Sequence, residues 1–138
     1  MLCATFALLA ACGDSGAQSP FTWRSPLPQG DSLCAVVWTG TQAVAVGSTG
    51  RVLVSPDGLS WTVGKAGTQR RLSGIAWTGT QLVDVGDSGV VVTSPDAVTW
   101  TQQVSGTTRA LYSVCAADTM LVAAGDRGTV RISPFDRG

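Results

Sequence analysis

Residues 33–62 read LCAVVWTGTQAVAVGSTGRVLVSPDGLSWT, and residues 72–101 read LSGIAWTGTQLVDVGDSGVVVTSPDAVTWT. The two align without a gap at a spacing of 39 residues, and a third copy, LYSVCAADTMLVAAGDRGTVRISP, runs over residues 111–134. Leu33, Leu72 and Leu111 coincide, as do Gly47, Gly86 and Gly125, then Gly50, Gly89 and Gly128, then Ser55, Ser94 and Ser133. A fixed period of this length marks a repeat architecture, in which each unit buries its apolar faces against its neighbours.

Each unit divides into short apolar runs. In the first they are Leu33–Trp38, Ala43–Gly47, Arg51–Ser55 and residues 60–65. Runs of β-branched and aromatic residues separated by Thr-Gly, Gly-rich and Pro-Asp-Gly turns are strands joined as hairpins. Four strands in about forty residues is the size of a propeller blade. The mostly continuous apolar character of residues 90–93 suggests burial on both sheet faces, which stacked blades provide. The expected fold is all-β: blades of four antiparallel strands, about three of them, in a partial propeller.

The phase of the repeat adds detail. Units cover residues 33–71, 72–110 and 111–138, and Phe21-Thr22-Trp23 begins an orphan outer strand over 21–26. The last unit carries only its first three strands. Closed rings use about four or more blades, so the expectation is either a fragment of a longer propeller or self-assembly of copies into a ring.

Composition narrows the chemistry. Nine Lys plus Arg balance nine acidic residues, all Asp. Net charge therefore makes no case for nucleic acid. The 138 residues include no His, Glu or Asn, which removes His-based triads, imidazole metal ligands and Glu acid–base pairs. No cofactor and no metal are expected.

The chain opens MLCATFALLAACGDSG, with an apolar run ending in Leu9-Ala10-Ala11-Cys12. The run is too short to span a bilayer but suits a signal peptide. Its end resembles a bacterial lipobox. The resemblance implies a signal peptide over 1–11, lipidation of Cys12 and a flexible tether over 12–20, the alternative being an ordinary cleaved signal. Because Gly13 rather than Asp14 follows the cysteine, the family's sorting rule implies an outer-membrane anchor in a Gram-negative envelope. No Lys or Arg precedes the apolar run, a departure from the usual signal.

Ser55-Pro56-Asp57-Gly58-Leu59-Ser60-Trp61 resembles an Asp-box, the hairpin of BNR-type propellers such as sialidases, sortilin-like receptors and photosystem II assembly and stability factors. The resemblance implies structural roles for Ser55, Asp57, Gly58 and Trp61, and for Ser94, Asp96 and Trp100 in the second copy. The carboxylate and hydroxyl would bond turn backbone groups, glycine would supply a positive φ, and tryptophan would bury its face. The turns here are one residue tighter than the family's. Ala97 replaces Gly58, which suggests a turn that tolerates a side chain, and the third copy places Asp136 one position late with no tryptophan. The pattern from WTGTQ to the acidic turn is most like the photosystem assembly factors. A sialidase needs an arginine triad and a Tyr–Glu pair, and this chain has one tyrosine, Tyr112, and no Glu. The expected function is therefore a non-catalytic, lipid-anchored envelope scaffold with an unidentified protein partner. The alternative is a fragment of a glycan-binding or sialidase-like propeller.

Four side chains are candidate partner contacts. Asp84 stands in a strand where the other units have Ala45 and Ala123; it either faces a channel or interface, or simply faces solvent. Arg70, Arg71 and Arg109 lie in the links entering successive blades. Repeat symmetry would bring them to one rim as a basic surface for an acidic partner, or they are solvated loop charges. Cys34 and Cys115 lie in first strands two blades apart, so buried unpaired thiols are expected rather than a disulfide.

Overall fold

The computed structural model describes residues 32–117 and 119–134. The expected signal, Cys12, the tether, the strand at Phe21-Thr22-Trp23 and Asp136 lie outside the described residues. Within them the chain forms eleven strands. The first sheet holds β1 (Leu33–Trp38), β2 (Ala43–Gly47), β3 (Arg51–Ser55) and β4 (Thr62–Lys65). The second holds β5 (Leu72–Trp77), β6 (Leu82–Gly86), β7 (Val91–Ser94) and β8 (Thr101–Gln103), and the third β9 (Leu111–Ala117), β10 (Met120–Gly125) and β11 (Val130–Pro134). Each sheet is an antiparallel meander in chain order. Strand β4 starts at Thr62 rather than at Ser60, because the acidic hairpin uses the residues before it.

Local chemistry sets the turns. In the TGTQ loop between first and second strands, the Thr39 N–H and hydroxyl both donate to the Gln42 carbonyl, and Thr78 does the same to Gln81. The loop between second and third strands is a single 3-10 turn in every unit. At its start, Gly47, Gly86 and Gly125 lie against the carbonyls of Ser32, Arg71 and Ala110, where a Cβ would overlap the oxygen. The next residue's N–H donates to that same carbonyl at 2.8–3.0 Å. This invariance is thus a matter of contact: the entering chain crosses too closely for any side chain.

Strand alternation then assigns each residue to a joint between blades. Val37, Val44, Val46 and Val52 of blade one meet Leu72, Ile75, Leu82 and Val92 of blade two in one core cluster. Ala76, Val83 and Val85, from the other face of blade two, meet Leu111, Val114 and Ala123 of blade three in a second cluster. The innermost strand β5 packs against both β1 and β9. Each fully buried Val or Leu contributes about 1.5–3 kcal/mol, so the joints, rather than the interior of any one sheet, hold the blades together.

Candidate functional site

The acidic hairpins are closed networks. Ser55 Oγ accepts from the Gly58 N–H at 2.7 Å and the Asp57 N–H at 3.3 Å, and donates to Asp57 Oδ1 at 3.2 Å. Asp57 Oδ1 accepts from the Leu59 and Ser60 N–H groups at 2.8 and 3.0 Å. The second copy repeats the pattern: Asp96 Oδ1 accepts from Val98 and Thr99, and Ser94 Oγ accepts from Asp96 and Ala97. Both carboxyls are held below their ordinary value of 3.8, first by the N–H of Ser60 or Thr99, then by that of Leu59 or Val98. The indole N–H of Trp61 donates to Gly58 O at 3.1 Å, and that of Trp100 to Ala97 O at 3.3 Å.

The turn accommodates the Ala97 side chain in a left-handed backbone. The residue has φ +66°, the same left-handed backbone as Gly58 at +78°. The turn is no more permissive than in the first copy. The Ala97 methyl is buried in the cluster between blades one and two, and that burial offsets strain of about 1 kcal/mol.

Two of the rim arginines lie in equivalent links between blades. Arg70 and Arg109 sit in identical turns, each backbone N–H bonding the threonine hydroxyl two residues earlier, Thr68 and Thr107, at 3.1 Å. Both border one open depression floored by Gly89, Val90 and Gly106. Arg70 and Arg71 border a second with Thr49 and Asp87. The guanidinium of Arg70 donates to Ser88 Oγ at 2.6 Å, and Nε of Arg71 donates to Cys34 Sγ at 3.2 Å. That hydrogen bond raises Arg71 above its ordinary pKa. The Arg71–Cys34 contact spans adjacent blades, and no motif signals it.

Asp84 lies in the joint between blades one and two and is 0% exposed, so the solvent-facing alternative is excluded. Neither of its carboxylate oxygens has a hydrogen-bond partner. The cysteines also differ from expectation. Both are free, but Cys115 is exposed and Cys34 only half-buried. Cys34 sits where β1 bulges between Leu33 and Ala35, and its bond to Arg71 draws the thiol to the rim rather than into the core.

A groove of about 440 Å³ opens between blades two and three, which reading the repeat did not anticipate. Val83, Val85 and Leu121 form its floor, with Gln103, Ser105 and Arg131 along its sides. The Arg131 Nε–H donates across it to the Ser105 carbonyl at 2.9 Å. The signal for it is visible only when repeats are compared pairwise: Arg131 stands where blade two has Val92, and Ser105 where blade one has Ala66.

No family model and no curated protein matches the chain. Among solved structures it is similar to YCF48 from Cyanidioschyzon merolae, with a TM-score of 0.66 and 20% identity. The match covers 78% of this chain and 35% of that one, so the chain spans about a third of that neighbour's length. At this identity the likeness speaks to fold alone. With three stacked antiparallel meanders on one side and a propeller on the other, it shows that this chain is built of β-propeller blades.

Proposed function

We propose that this chain is a non-catalytic scaffold of the cell envelope, anchored by lipid on Cys12, that captures an acidic protein partner on the rim bearing Arg70, Arg71 and Arg109. The anchor places it at the outer membrane, facing the periplasm or the exterior. The acidic hairpins are Asp-boxes serving the fold: one oxygen of each carboxylate, Oδ1, is held by two turn N–H groups. The observation that carries the reading is the convergence of Arg70 with Arg109 on one open depression and with Arg71 on the next. Guanidinium groups there can fork onto a partner's carboxylates. The sequence resemblance to photosystem II assembly and stability factors supports an assembly role over an enzymatic one.

The test is crosslinking in the native envelope, comparing the wild type with Arg70→Ala/Arg109→Ala. Partner adducts should fall several-fold while the melting temperature stays within about 1 °C, since exposed charges add little to stability. Adducts at wild-type level, or a chain that no longer folds, would remove the rim from the reading. Cys12→Ala should abolish labelling by a fatty-acid analogue and release the protein from the membrane fraction.

A further inference from the structure

Asp84 is the one buried charge-bearing side chain among the described residues, and its in-register neighbours are apolar. On its own sheet it pairs in register with Ile75 of β5 and Val92 of β7, both members of the cluster between blades one and two. From blade one, β1 presents Ala35 and Val37 to this joint, β2 presents Val44 and Val46, and β3 presents Val52 and Val54. No titratable or charged side chain faces Asp84 from these strands. Arg51 and Lys65 pair with each other in register, and both alternate to the other face of blade one. Cys34 and Arg71 bond each other at the rim, and Asp87 lies in the turn beyond β6. The other units place Ala45 and Ala123 at this position, so the fold itself does not need a carboxyl there.

We propose that Asp84 is a proton-controlled latch on the joint between blades one and two: with its proton it lies neutral among the valines and the joint closes, and without it the uncompensated charge drives the joint open. A lone carboxylate in such a site has neither the hydration it would have in water nor a counter-ion to replace it. Burial accordingly pushes the carboxyl well above its ordinary value of 3.8.

The direction of the pH effect follows by linkage. Between 3.8 and the raised value, the folded chain holds a proton that the unfolded chain has lost. Stability from this group is therefore fully present below the ordinary value and falls as pH rises through that window. The decline reaches at most about tenfold in the folding equilibrium constant per pH unit, the limit for one proton. The joint is thus tightened by acid and loosened by base, and an acidifying compartment would hold the blades together.

The experiment compares wild type, Asp84→Ala and Asp84→Asn by urea unfolding at a series of pH values from about 4 to about 9. Tryptophan emission serves as the probe, because Trp77 and Trp100 pack on this joint. Amide hydrogen exchange is followed in parallel. The wild-type midpoint should fall as pH rises, and Asp84→Ala, which restores the residue of the other units, should remove that slope and raise the midpoint at neutral pH. Exchange in wild type should quicken with pH in β2 and β6 beyond its intrinsic pH dependence, and less so in β9 and β10. The carboxyl carbon resonance of Asp84 should titrate well above the ordinary aspartate range. Equal slopes in wild type and Asp84→Ala would overturn the proposal, as would an Asp84 resonance that titrates at the ordinary value.

Discussion

The joint between blades one and two and the joint between blades two and three come from the same repeat, offset by 39 residues. Among the described residues the first is closed, while the second, whose blade three is described only to Pro134, holds a groove. In the first, Val90, Val92 and Ala97 of blade two are buried against blade one, with Trp100 packed over them. In the second, Thr129 and Arg131 stand at the positions of Val90 and Val92, and Thr93 and Ser105 at those of Val54 and Ala66. Arg131 spans the groove to a backbone carbonyl instead of filling it. The repeat period thus decides where strands lie, while the side chains at a joint, together with the hairpin and fourth strand that only blades one and two have among the described residues, decide how far it is filled. The sealed joint also holds the buried acid, so the tightest part of the molecule is also the part that pH can loosen.

Equivalent leucines test this contrast most directly. Leu82 is 1% exposed in the closed joint, whereas Leu121, 39 residues on, is half-buried beside the groove. Leu82→Ala should cost about 3–4 kcal/mol and Leu121→Ala about 1 kcal/mol, read from chemical denaturation. Equal costs would mean that the groove closes in solution. A smaller effect is expected from the tryptophans. Trp100→Ala should cost about 2–3 kcal/mol by opening the first joint, and Trp61→Ala less, because Trp61 makes the same hairpin bond without joining that cluster. A reversed order would shift the role of Trp100 from the joint to the hairpin.

The smallest effect separates the two kinds of acid. Asp57 and Asp96 are exposed and bonded by N–H groups, with pKa values lowered from 3.8. Their contribution is present above that ordinary value and is lost as pH falls through the lowered one, the opposite trend to that of Asp84. The double variant Asp57→Ala/Asp96→Ala should flatten the acid limb of the stability curve below about pH 4 and leave the alkaline decline intact. An unchanged acid limb would show that the hairpins keep their form when both carboxyls are protonated.

Much of this was readable from the chain. The first three strand ranges of unit one follow from its apolar runs and Gly-containing turns. The roles of Ser55, Asp57 and Trp61 are local, within seven residues, so a short motif carries them. The symmetric placement of Arg70 and Arg109 follows from their 39-residue spacing alone. The turn at Ala97 does hold a side chain, but what buries its methyl is blade one, distant in sequence and not legible from the motif. The thiols eluded prediction for a similar reason: Cys34 is drawn to the rim by an arginine 37 residues away.

By itself, the sequence determined an all-β chain of repeated four-strand units, their hairpins and their period, because those depend on local backbone preferences and on alternation along a strand. Only the tertiary structure decided which side chains fill the joint between blades one and two, and that Asp84 is entombed there without a hydrogen-bond partner. Strand alternation assigns Asp84 to a sheet face, but not what covers that face. That depends on the valines of another blade, whose positions are set by packing rather than by neighbours in the chain.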